Sequence, residues 1–80
     1  MVVVYPSIFG VIAQKFFRLK EKKLNIVVAE DQVLACQSLA RLLGIYPFTN
    51  QVYTAYNGME AVHVIENYHI DLALLDVRCP

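Results

Sequence analysis

Apolar positions cluster along this chain in strand-like runs separated by helix-like stripes. Residues 24–31, LNIVVAED, form an unbroken apolar run of β-branched character that closes on two acids. A strand covered on both faces needs such a run, whereas a strand with one wet face alternates. Next, Ala35, Leu39, Leu42 and Leu43 recur at helical spacing and predict one buried helix stripe. Gly44 stands where a left-handed C-terminal cap belongs, and Pro47 bars any continuation. QVYTAY (51–56) is rich in β-formers, and Asn57-Gly58 punctuates its end. Ala61, Val62, Ile65 and Tyr68 mark a second helix stripe, and DLALLD (71–76) a third strand. Strand-helix-strand-helix-strand with short loops predicts a parallel sheet joined by right-handed crossovers.

Upstream of this pattern the chain has a different character. VVVY reads as a short strand, and Ser7 as the cap of a helix running to about Lys22. Residues 15–23, KFFRLKEKK, hold five of the seven basic residues, while from Leu24 onward six acids face only Arg41 and Arg78. A basic, apolar arm (1–23) therefore precedes an acidic domain (24–80). The arm carries no recognisable chemistry and is expected to be packing material, a linker, or sequence outside the domain proper. A peripheral membrane helix is a lesser alternative for it. Its apolar stretch is broken by Pro6, Gly10, Gln14 and Lys15 and falls short of the ~18 to 20 residues a span needs. Its charges follow the apolar run, the reverse of a secretory signal.

Composition narrows the class further. With 80 residues there is room for one domain, and 58% hydrophobic against 18% charged residues is globular. The formal net charge is zero, so no bulk electrostatic argument points to nucleic acid. Cys36 and Cys79 lie far apart without metal-ligand spacing, which predicts free thiols in a reducing, cytoplasmic setting.

The chemistry-bearing residues are acids at strand ends. In a parallel sheet every strand points the same way, so all carboxyl ends share one edge, where ligands bind. The first strand of the repeat ends in Glu30-Asp31 and the third in Asp76. If these strands are neighbours, three carboxylates converge, and their repulsion raises pKa values unless a cation is present. A hard divalent ion with oxygen ligands suits such a set, Mg²⁺ best of all. Taken singly, Asp31 could equally be a helix N-cap. Asp76 is the stronger signal, because a charge beside a core needs a partner.

Three features in order resemble the first half of a response-regulator receiver domain of bacterial two-component signalling. They are the acidic pair Glu30-Asp31, the segment AYNGMEAV (55–62), and D-x-x-x-P from Asp76 to Pro80, with Cys79 where the family usually has Met. V-A-E-D-Q followed by L-A-R-L-L is similar to regulators whose output is a LuxR-type helix-turn-helix. The resemblance implies a truncated flavodoxin-like α/β fold: a parallel three-stranded 2-1-3 sheet with two crossover helices. It implies that Asp76 is the phosphoacceptor for a sensor histidine kinase. Glu30, Asp31, Asp76 and the backbone carbonyl of Arg78 would hold Mg²⁺, and Pro80 would fix the loop leaving the site. Such a module accepts a phosphoryl group and is not expected to be an enzyme.

The family also uses a Ser or Thr after strand four and a Lys after strand five, and neither strand is among these residues. An impaired, truncated receiver is therefore expected, with DNA contacted only through an output domain outside this sequence. The third strand, Leu72–Leu75, would be left as an apolar edge, open to self-association unless the N-terminal segment covers it. A pure interaction fragment pairing through that edge is the alternative function. Phosphoryl-transfer enzymes that carry D-x-D on one strand fit poorly, since Arg78 stands two after Asp76. His63 and His69 read as surface histidines, and the five tyrosines as packing residues, with Tyr53 and Tyr56 over the ends of the second strand.

Overall fold

The computed structural model describes residues 1–5 and 23–76. The expected helix from Ser7 to Lys22, and Arg78, Cys79 and Pro80, lie outside the described residues. The elements run β1 (Val2–Val4), β2 (Leu24–Glu30), α1 (Val33–Ile45), β3 (Thr49–Ala55), α2 (Gly58–Asn67) and β4 (Leu72–Asp76). All pairings are parallel, in the order β1-β4-β2-β3. The expected α/β architecture and the 2-1-3 order of its last three strands are both present. The sheet has four strands rather than three, because Val2–Val4 pair with Leu72–Leu74. The apolar edge that the third strand of the repeat would have exposed is therefore covered by the chain's own N-terminal strand.

β2 lies between β4 and β3, which explains its unbroken apolar run. Ile26 and Val28 face the α1 side, with Val4, Cys36, Leu43, Phe48, Leu72 and Leu74. Val27 and Ala29 face the other way, toward α2, with Ala55, Ala61, Val64, Ile70 and Ala73. The chain steps from β2 out to β3 and then back past β2 to β4. Two crossovers of the same hand running in opposite directions must place their helices on opposite faces. Fully burying a Val, Leu or Ile side chain of this kind stabilises by roughly 1.5–3 kcal/mol. The α2 side is rich in alanine, with Ala29, Ala55, Ala61 and Ala73 in its core.

Both helix stripes hold in part: Leu39 and Leu43 in α1 and Ala61 and Ile65 in α2 lie on the core side, whereas Leu42 and Val62 do not. Cys36 and Leu43 are the buried residues of α1, with Leu39 packed beside them, while Leu42 is about half exposed. In α2, Ala61 and Val64 are buried and Val62 is outside. Cys36 belongs on the inner face because its thiol reaches the Val28 and Ala55 carbonyls at 3.6 and 3.7 Å, tying the helix to two strands. Burial pushes its pKa up, so it is an inert core thiol. Gly44 is not a left-handed cap. The helix runs through it to Ile45, and no described glycine has a positive φ. The end is made instead by Leu43, whose carbonyl accepts from the Tyr46 N–H at 3.2 Å and the Thr49 hydroxyl at 2.7 Å. Tyr46 stacks on the buried Phe48 at 5.1 Å between ring centroids. Tyr53 lies within β3, not at its end, and packs on Tyr68 at 4.7 Å.

Candidate functional site

The carboxyl edge of the sheet brings the three predicted acids together. Glu30 and Asp76 are register partners, the last residues of the neighbouring strands β2 and β4. Asp31 follows immediately in the β2–α1 loop. Glu30, Asp31 and Asp76, with Gln32 and Ala35, line an open cavity of about 360 Å³. Register partners on adjacent strands point to the same face of the sheet, so these two side chains lie side by side at its carboxyl end.

Glu30 is 6% exposed, while Asp31 and Asp76 face solvent. Its Oε1 accepts the Gln32 N–H at 3.0 Å, closing the turn into α1. That hydrogen bond pulls its pKa down. Burial and the Asp76 and Asp31 carboxyls pull it up and prevail, so it lies above the usual 4.5. Among the described residues no lysine or arginine forms an ion pair with any of the three. Counting the described residues alone, the edge carries more negative charge than its neighbours offset.

Asp31 is not spent as a helix cap. The N-cap of α1 is Gln32, which makes no side-chain capping bond. The opening of α2 is handled differently. Asn57 accepts the Glu60 N–H at 2.8 Å, and Glu60 reaches back to the Tyr56 N–H at 2.8 Å. This reciprocal cap is close to a capping box and accounts for the asparagine and glutamate of AYNGMEAV as fold-forming residues. The donor chemistry of the carboxylate edge, oxygen only, fits a hard cation. Among the described residues, however, no group of three or more His, Cys, Asp or Glu is arranged to hold a metal by itself. Arg78, whose carbonyl was expected to contribute, lies outside the described residues.

One polar cluster was not foreseen, at the opposite edge. Asp71 accepts the Asn25 N–H at 2.9 Å and contacts His69 Nε2 at 3.0 Å. Asn25 in turn donates to the His69 carbonyl and accepts from Asn50, both at 2.9 Å. His69 is thus a surface histidine with a structural partner, and His63 is exposed next to Asn67.

No family model matches the chain. Curated relatives do. It is 30% identical over 79% of its length to the transcriptional regulatory protein DegU of Brevibacillus brevis. It is 36% identical over 71% to the positive alginate biosynthesis regulatory protein of Pseudomonas aeruginosa. It is 32% identical over 71% to the transcriptional regulatory protein LnrK of Bacillus subtilis. It covers 27%, 23% and 26% of those three proteins, about a quarter of each. The parallel four-stranded α/β sheet with two helices is compatible with a truncated, flavodoxin-like receiver fold. The chain is a relative of two-component response regulators, and its fold is compatible with part of a receiver domain.

Proposed function

We propose that this chain is a phosphoacceptor module, with Asp76 taking a phosphoryl group from the phosphohistidine of a sensor kinase. The observation that carries the reading is the register of Glu30 against Asp76, with Asp31 on the same cavity. An Asp76 carboxylate oxygen attacks phosphorus, the P–N bond to the kinase imidazole breaks, and an aspartyl phosphate remains. Asp76 is suited to this because its side chain is exposed at a strand end, anchored by an apolar core beneath.

Asp31, Asp76 and the Arg78 backbone carbonyl would hold Mg²⁺ directly. Glu30 would act through water, one of its oxygens being engaged by Gln32. When bound, the ion neutralises charge on the phosphoryl oxygens. Glu30 shapes the loop that presents Asp31, and the uncapped turn at Gln32 leaves Asp31 available to the cavity. Two of the longer relatives are named as transcriptional regulatory proteins, so this module would serve a transcription regulator in a cytoplasmic setting. Among the described residues no helix is long and apolar enough to cross a membrane.

Chemical-shift titration with Mg²⁺ and beryllofluoride tests the site. Weak binding is expected around Asp76 and should vanish in Asp76→Asn. Binding unchanged by that substitution would sink the assignment. Phosphoryl label from a kinase should be released by hydroxylamine, as an acyl phosphate is, and be absent from the same variant.

A further inference from the structure

The two outer edges of the sheet are guarded differently. The edge strand β3 exposes Asn50, Gln51 and Thr54. At the other edge, Met1, Val2, Val3 and Tyr5 are exposed, Val2 and Val3 each at 49%, and residues 1–5 include no charged side chain. Natural edge strands are usually protected by charges, proline or a bulge, and an apolar one invites pairing.

Backbone direction makes the opportunity specific. The Val2 N–H donates to the Asp71 carbonyl at 2.9 Å, so Val2 faces β4. By the two-residue alternation of a strand Val4 does the same, and the N–H and C=O of Val3 point away from the sheet. Among the described residues nothing pairs with them.

We propose that β1 is a self-association edge, pairing antiparallel with β1 of a second copy about a two-fold axis at Val3. A strand meeting its own copy across such an axis must run antiparallel. Residues equidistant from Val3 then face each other, Val2 opposite Val4 and Met1 opposite Tyr5, so no charge opposes a charge. Val3 opposite Val3 becomes a hydrogen-bonded pair that exchanges two N–H···O bonds. β3 offers no such match, because polar side chains line it. This reading is independent of phosphorylation at Asp76.

Sedimentation of the full chain over a concentration series tests it, with a weak monomer–dimer equilibrium expected from so small a contact. Val3→Pro removes the outward N–H and leaves the β4-facing groups alone, a position where an edge strand tolerates proline. Dimer affinity should fall about tenfold or more through the two lost hydrogen bonds. Val3→Cys in a Cys79→Ser background should oxidise readily to an interchain disulfide, because paired Cα atoms about 5.5 Å apart suit the bond. Val2→Cys should not. A chain monomeric up to about 1 mM, where even a very weak contact would show, overturns the proposal. So does a Val3→Pro dimer as tight as the parent, or equal crosslinking at positions 2 and 3.

Discussion

The two ends of the parallel sheet handle polar groups in opposite ways. At the amino edge, Asp71, Asn25, His69 and Asn50 satisfy one another, and backbone groups join in: the Asp71 N–H donates to the Asn25 carbonyl at 2.8 Å. The Asp71 carbonyl also receives the Val2 N–H, so one residue touches β1, β2 and the start of β4. At the carboxyl edge, three acids share a cavity, and the buried one has a raised pKa. Polar groups in the first set are matched partner to partner, as a structural network requires. Those in the second are matched to nothing of opposite charge among the described residues. One end closes the fold, and the other gathers carboxyl groups that no described cation offsets.

Breaking the amino edge should have the largest effect. Asp71→Ala removes the acceptor of the Asn25 N–H and the partner of His69. Hydrogen bonds to a charged group contribute roughly 1.5–3 kcal/mol, so a loss of about 2–3 kcal/mol is expected in urea unfolding. Asp71→Asn keeps an acceptor and should lose about half as much. If Asp71→Ala unfolds at the parent's midpoint, the network is decoration and the contrast between the edges collapses.

A smaller effect separates structural from functional residues at the carboxyl edge itself. Asn57 caps α2 beside the site but does not line the acidic cavity. Asn57→Ala should cost about 1 kcal/mol in thermal unfolding, typical of a lost N-cap. It should leave the Mg²⁺ and beryllofluoride response of Asp76 intact. A loss of that response without loss of stability would move Asn57 into the site.

The difference between the edges also governs what could be read from the sequence. The strands β2 and β4 were legible because burial on both faces leaves continuous apolar runs such as Ile26–Ala29. The acids were legible because parallel strands deliver their ends to one edge, whatever the details of packing. Helix phase was harder: Leu42 and Val62 look as core-like as Leu43 and Val64. The choice depends on where the strand carbonyls that meet Cys36 lie. The amino-edge network was hidden for a different reason. Asn25, Asn50 and Asp71 resemble ordinary loop residues. Only the pairing register, including the irregularity that slips Asn50 out of step between Thr49 and Gln51, brings them together. The place of β1 beside β4 was expected only as a hypothesis, since three valines do not say which strand they join.

Glu30 offers the subtlest test, because it stands on both sides of the contrast. Its Oε1 closes the β2–α1 turn, yet its charge adds to the unbalanced set. A folded-state pKa above the ordinary 4.5 means the native state binds this proton more tightly than the unfolded chain does. The associated stability is fully present below the ordinary value and is lost as pH rises through the raised one. At neutral pH the ionised side chain therefore burdens the fold. Glu30→Gln keeps an oxygen for the Gln32 N–H and removes the charge. It should raise the melting temperature slightly at pH 7, with the gain shrinking to nothing as pH falls below 4.5. Millimolar Mg²⁺ should narrow the difference by stabilising the parent more than the variant. A parent that gains no more from Mg²⁺ than Glu30→Gln does would show that Glu30 serves the turn alone. The unbalanced charge would then belong to Asp31 and Asp76.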